Sequence, residues 1–466
     1  MTTVRRDVWT LGSEQEPWDP VLLGYARAVA AMQQLPLTEP RSWRYQAAIH
    51  GIAGASPPPG APWNECQHAT WYFLPWHRMY LFQFEQIVRS FVPAGLGADE
   101  WALPYWNYSD GSPGDALPPA FRVETLPDGS PNPLLVPERR VVVNAGKPLP
   151  GVVTDVSAAL AEQVFTESGF GGSTGFGGPR TGFAHQGPAF GALEARPHGP
   201  VHVWVGGAGG LMTDPDTAAL DPIFWLHHAN MDRLWATWLV DTGVNPSSQF
   251  WLSRSFRLRD AGGDRVRMRV REVLDPVSDL NYTYDSLPTV AAAERVAAMP
   301  RRRRPLLVAA AKEPVTVGRA GASVEIDATG LPEPAAAAAG REPRVYLNLA
   351  DIEGEANPGV VYEVYLDPPE DPPYPAGAEH RVGVVSFFGI EQSTPAGAAA
   401  SGRAAHGMRY SFDVTDLVNR LRSSPGWDPA NLRVALRPVE GSEEEDAAAA
   451  GADRPIRIGT ISLYQS

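Results

Sequence analysis

Asp221-Pro222-Ile223-Phe224-Trp225-Leu226-His227-His228-Ala229-Asn230-Met231-Asp232-Arg233-Leu234-Trp235 is the stretch on which the reading of this chain turns. Asp221 before Pro222 is a helix start: the carboxylate caps free amides, and proline at the first helical position gives up an N–H that had no partner there. The helix that follows buries two adjacent histidines among aromatic rings, which is costly unless their nitrogens are satisfied. Neighbouring helical residues point about 100° apart, so only one of His227 and His228 readily reaches a given metal. The run itself leaves the choice open. Asp232, one turn beyond His228, is expected to support a ligand ring as an acceptor, the alternative being a buried His–Asp hydrogen bond with no metal.

Other histidines join this pair. His198 and His202 are four residues apart, on one face of a helix, where both can reach one ion. In the N-terminal part, His50 ends an apolar-faced helix just before Gly51, His68 lies in Asn64-Glu65-Cys66-Gln67-His68, and His77 opens a helix after Pro75 that is apolar nearly all round. Singly, each is more often a satisfied core histidine than a ligand. Together they supply neutral nitrogens without the four-thiolate spacing of structural zinc. Two all-histidine trios with no carboxylate ligand favour copper over iron, manganese or magnesium. Two such ions could share dioxygen and reduce it by two electrons, with aromatic walls holding a flat ring.

The bulk properties agree. Of 466 residues, 44% are hydrophobic and 20% charged, as in soluble globular proteins. A formal net charge of −14 argues against nucleic acid or anionic lipid as partner, since either needs a basic face. The N-terminus carries Arg5 and Arg6 with no apolar run behind them, and no apolar stretch is long enough for a membrane span, so a cytoplasmic protein is the default, with export on a partner left open. Cys66 is the only cysteine, so no intramolecular disulfide forms.

The patterning predicts two domains. Residues 1–290 read as helical, with irregular stretches at Gly111–Pro150 and Ser168–Gly191 as candidate walls of a site. Residues 291–320, with Arg301 to Arg304, read as an exposed linker. Beyond it come β-rich runs at Ser323–Ile326, Arg344–Leu349, Val360–Leu366, Val382–Phe388, Met408–Val414, Leu432–Arg437 and Ile456–Tyr464. The expectation is a mainly α protein, a four-helix-bundle core holding two metals, with a C-terminal β-sandwich at 321–466.

The histidine segments resemble the tyrosinase and polyphenol oxidase family of type 3 copper proteins, catechol oxidases included. The first motif matches as His50, His68 and His77; the second as Pro197-His198-Gly199-Pro200-Val201-His202 and the Asp221–Trp235 run. The resemblance implies two coppers with dioxygen as cosubstrate, selects His228 over its neighbour His227, and makes Cys66-Gln67-His68 a thioether arrangement. Tyr282-Thr283-Tyr284 is similar to the motif that closes the catalytic domain and pairs with an N-terminal arginine, here Arg5 or Arg6. The C-terminal part resembles the plant-type domain that covers the site and keeps the enzyme latent; Arg301–Arg304 would be a place to cut it, or simply a solvated linker.

The resemblance also bears on the substrate, a small phenol. Glu194 matches a glutamate that holds a water for deprotonating monophenols, but Gly199 stands where an asparagine assists it, and glycine cannot orient water. Val203 adds an apolar contact, Pro215 stands where relatives carry a residue that shields the copper and its small ring would leave the site open, and Phe224 is a further pocket candidate. The expectation is o-diphenol oxidation to o-quinone with dioxygen reduced to water. The alternatives are monophenol hydroxylation, o-aminophenol oxidation, an oxygen carrier like molluscan haemocyanin, or a zinc hydrolase. The residues do not fix an oligomeric state.

Overall fold

The Asp-Pro signals hold. Asp19 opens α1 (Pro20–Gln33), its side chain accepting from the Val21 amide. Ser42 caps α2 (Trp43–His50) by accepting from the Tyr45 amide, and the helix stops at His50 before Gly51. α3 (Phe73–Phe91) is buried on nearly every side, as its sequence predicts. A wide helical turn, Glu194–His198, leads into the fully buried α4 (Gly199–Gly206). Asp221 caps α5 (Pro222–Asp241) through the Ile223 amide and also grips the Arg139 guanidinium at 2.7 and 2.8 Å. α3 packs on both α5 and α1, and these helices share the larger apolar core. The computed structural model describes residues 2–167, 171–182, 187, 189–241, 243–287, 305–331, 343–369, 378–394, 407–441 and 454–466.

Short strands clasp the helical half. β1 (Thr3–Arg5) pairs in parallel with β4 (Tyr282–Tyr284), and β2 (Ser255–Arg259) with β3 (Arg265–Arg269) forms a hairpin. The β1–β4 pairing brings Arg5, rather than Arg6, to the tyrosine motif: its guanidinium lies 3.8 Å from the centre of the Tyr282 ring and donates to Tyr284 Oη at 3.1 Å.

The C-terminal region is sheet-rich. Each of the seven β runs read from the sequence contains a strand: β7 (Ala322–Ile326), β8 (Val345–Glu353), β9 (Tyr362–Leu366), β10 (Arg381–Val385), β11 (Met408–Asp413), β12 (Leu432–Pro438) and β13 (Ile456–Gln465). Two more, β5 (Leu306–Ala310) and β6 (Val315–Val317), pair with β13. One sheet runs β10-β9-β12-β7, the other β11-β8-β13-β5 with β6 beside β13, and residues of both line a second apolar core.

Two expectations change. The described residues mix helix and strand rather than being mainly α, with thirteen strands, β1 to β13, beside the helices. Within the 291–320 range expected as a linker, β5 and β6 are strands that satisfy backbone groups on β13. Arg301–Arg304 fall outside the described residues. No described helix is long and apolar enough to cross a membrane.

The two halves meet closely at Gly359. Its φ of +72° favours glycine, and a Cβ there would stand 2.4 Å from the Ala208 amide nitrogen. The Gly359 carbonyl accepts from the buried Arg140 guanidinium of the helical half at 2.7 Å.

Candidate metal centre

The fold delivers the histidines from separate elements to one place. His50 arrives at the end of α2, His77 on the second turn of α3, and His68 from the segment before α3; with Cys66 they form a buried group whose potential ligand atoms all lie within 4.8 Å of one another. His198, His202, His227 and His228 form a second such group. The two face each other: the His77 and His228 rings stack with centroids 4.5 Å apart, and His68 lies 5.8 Å from His198.

The ring supports differ from the one predicted. His50 Nδ1 bonds the Pro215 carbonyl at 2.8 Å, His77 Nδ1 the Phe73 carbonyl at 2.8 Å, and His202 Nδ1 the Met212 carbonyl at 2.9 Å. Each bond turns Nε2 inward and fixes the tautomer. Asp232 does not take part, contrary to expectation. Its carboxylate is held by Arg78 (2.5 Å), Arg5 (3.3 Å) and the hydroxyls of Tyr282 and Tyr284 (both 2.5 Å). Two buried guanidiniums need a counter-charge, and they outbid a neutral imidazole. Pro215 acts on His50 through its main-chain carbonyl.

Several buried nitrogens have no hydrogen-bond partner: His50 Nε2, both nitrogens of His198 and His228 Nδ1. His202 Nε2 faces His228 Nε2 at 3.1 Å. Burial pushes His50, then its neighbour His77, down to about 3, and holds His68, His198, His202 and His228 well below the ordinary range, with the other imidazoles adding to the effect. Neutral, inward-turned and unpartnered imidazoles form a donor set suited to metal, and to copper in particular given the absence of carboxylates from both groups.

His227 lies within the second group, and its buried Nε2 has no hydrogen-bond partner. Its Nδ1 meets the Tyr108 hydroxyl at 3.1 Å, and its ring stacks on His198 at 5.5 Å. Cys66 Sγ lies 3.5 Å from both ring nitrogens of His68 and 3.5 Å from His77 Nε2. Equal distance to the two His68 nitrogens puts the sulfur on the plane through the carbon between them.

The remaining candidates also gather here. Phe224 packs edge-on to His50 at 4.8 Å and against His228 at 4.1 Å. Gly199 and Val203 are buried on α4 beside His198 and His202. Both Glu194 oxygens lie within 2.9 Å of the Ala69 amide, next to His68, and burial pushes the carboxyl well above its usual range.

Two rings went unnoticed in the sequence. Phe73 touches His77 at 4.5 Å and His198 at 4.8 Å from the helical side. Phe388 reaches in from the C-terminal half, stacking on His202 at 4.2 Å and meeting His198 and His68 edge-on at 5.4 and 5.6 Å. For Phe73 the helical spacing to His77 was available as a signal. For Phe388 the signal was the Ser386-Phe387-Phe388 run, which resembles the plant-type C-terminal domain without marking which ring reaches the histidines.

Comparison with known proteins places these features. The family described as the common central domain of tyrosinase matches residues 40–151 and 153–241, the polyphenol oxidase middle domain matches 247–297, and a domain of unknown function matches 304–466. Tyrosinase HcTyr1 of Hahella sp. (strain CCB-MM4) is 35% identical, over 99% of this chain and 98% of that protein. The latent chloroplastic polyphenol oxidase of Prunus armeniaca is 27% identical over 96% of this chain and 74% of its own. The solved structure of latent apple tyrosinase shares the fold, with a TM-score of 0.64 at 20% identity, covering 100% of this chain and 97% of that one.

Proposed function

This chain belongs to the tyrosinase family of copper-dependent oxidoreductases, and from that membership we propose that it oxidises o-diphenols to o-quinones while dioxygen is reduced to water. The observation that carries the reading is the pair of facing imidazole groups, buried, neutral and turned inward. His50, His68 and His77 would hold one copper and His198, His202 and His228 the other. When bound, the two coppers supply the two-electron chemistry that couples diphenol oxidation to dioxygen. His227, which the family resemblance leaves as a neighbour of the ligand His228, meets the Tyr108 hydroxyl through Nδ1.

The chain's own residues do the positioning. The Pro215, Phe73 and Met212 carbonyls hold the rings in one tautomer, Phe73 and Phe224 keep water out, and the position of Cys66 suits a thioether to His68. Diphenol preference rests on Gly199, which has no side chain to orient water, and on Glu194, whose oxygens already accept from the Ala69 amide. Monophenol hydroxylation is the second reading, favoured by the name of the Hahella relative and by the proximity of Glu194 to His68.

The division into a catalytic part up to about residue 290 and a covering part in the sheet-rich region belongs to the same proposal. The ligand-bearing helices α2, α3, α4 and α5 serve as the bundle and the two sheets as a sandwich. Phe388, laid on His202 and His198, occupies the approach to the second group and makes the intact chain latent. The test is quinone formation from catechol, tyramine and an o-aminophenol by the copper-loaded chain, before and after limited trypsin treatment. Catechol should be the fastest, and faster after cutting. Reversible oxygen uptake without quinone in either sample would overturn the enzyme reading, and tyramine matching catechol would overturn the diphenol preference.

A further inference from the structure

We propose that Gly199 is the seat of the C-terminal cover, so that a side chain at this position and a closed cover exclude one another. The inference deepens the latency reading and rests on it for the claim that closure silences the site.

The steric case is local. A Cβ on Gly199 would stand 2.7 Å from Ser386 Oγ, closer than such atoms approach, and 3.6 Å from both the Phe388 Cβ and the Glu194 carbonyl oxygen. The Ser386 main chain is held from behind. The carbonyl of Ser386 accepts from Asn357 Nδ2 at 3.1 Å, its main chain lies against Tyr410, and its buried hydroxyl has no hydrogen-bond partner. The next residue, Phe387, sits at a φ of +56°, a left-handed conformation that costs a bulky residue free energy and fixes the direction of the chain on either side. Its amide donates to Tyr410 Oη at 3.3 Å. Behind Asn357, Gly359 donates to Asn357 Oδ1 at 2.9 Å and is anchored to Arg140. The 386–388 main chain is therefore braced from behind, and a side chain at position 199 has to displace the buried Ser386 hydroxyl that faces it.

The consequence reaches the site because Phe388 is two residues from Ser386. Displacing Ser386 moves the ring that stacks on His202 and meets His198 edge-on. One position thus sets two properties: whether the wall beside His198 carries a side chain, and whether the cover can close on it. On this account the glycine is explained by the cover as much as by the substrate.

The test uses the full-length, copper-loaded protein with Gly199→Ala, Gly199→Val, Ser386→Leu and the double variant Gly199→Ala with Ser386→Gly. Hydrogen–deuterium exchange over residues 384–390 reads the cover directly, and quinone formation from 4-methylcatechol without protease reads the site. Gly199→Val and Ser386→Leu, which overfill the contact from opposite sides, should each speed exchange about tenfold or more, as expected for overpacking, and raise the untreated rate. Gly199→Ala should do less, and Ser386→Gly should reverse it. Unchanged exchange in both Gly199→Val and Ser386→Leu overturns the proposal. Faster exchange with an unchanged rate upholds the seat and contradicts the latency reading instead.

Discussion

The two imidazole groups are built to different standards. In the first, His50 and His77 are each tied by Nδ1 to a carbonyl, and His68 lies against Cys66. In the second, His202 is tied to a carbonyl, while neither nitrogen of His198 has a partner and His228 Nδ1 has none. The loosely held group is the one that Phe388 covers and Gly199 flanks. A group that need only hold its ion can be pinned from every side. One that faces an incoming substrate has to leave its approach open, and under the proposed function that approach is the one Phe388 occupies.

Breaking the second group should have the largest effect. His228→Ala should cost one of the two coppers and nearly all activity, and His227→Ala should keep both coppers, as measured by metal content per chain; equal loss in the two variants would show that the assignment within the pair is wrong. Asp232→Asn comes next, because Asp232 braces α3 and α5, which carry one ligand from each group. Removing the counter-charge from buried Arg5 and Arg78 should cost about 3–5 kcal/mol in denaturant unfolding, and both coppers should then leave faster. Loss from one group alone would contradict a shared brace.

Acid should act on the same brace. Arg78 and Arg5, helped by two tyrosine hydroxyls, overcome the effect of burial and hold Asp232 below the usual carboxylate range. A depressed carboxylate stabilises the fold fully above its unfolded value of about 4, and this contribution is lost as pH falls from there through the folded value. Wild-type stability should therefore fall below about pH 4 more steeply than that of Asp232→Asn; parallel curves would count against it. Phe388→Ala should leave copper content unchanged and raise the rate of the intact chain severalfold, while an unchanged rate would mean that the ring is packing only. The smallest effect belongs to Cys66→Ser, which should retain both coppers but release the first somewhat sooner. The wild-type chain should weigh less than its sequence by two hydrogen atoms, the mark of a thioether, and a full sequence mass would exclude the bond.

Much of this was legible in the sequence. The ligand-bearing histidines stand on strong local signals: Asp-Pro caps, a glycine stop after His50, and a buried aromatic helix. Each of the seven β runs announced itself by β-branched and aromatic residues. β5 and β6 did not, since Leu306–Ala310 reads as an alanine-rich extension of the arginine run and gains its partner only from β13 at the far end of the chain. Asp232 misled for a related reason. Helical spacing places it on the face of His228, yet Arg5 arrives from the N-terminal strand with a stronger claim on the carboxylate. Phe388 and Ser386 illustrate the same limit, because a residue that closes a site from another domain leaves no periodic trace near that site.

The central claim is tested most directly by stoichiometry on the intact wild-type protein. Metal analysis together with oxygen uptake during catechol oxidation should give two coppers per chain and one dioxygen consumed for every two catechols converted to quinone. A single metal per chain, or oxygen taken up and released again with no quinone formed, would contradict it.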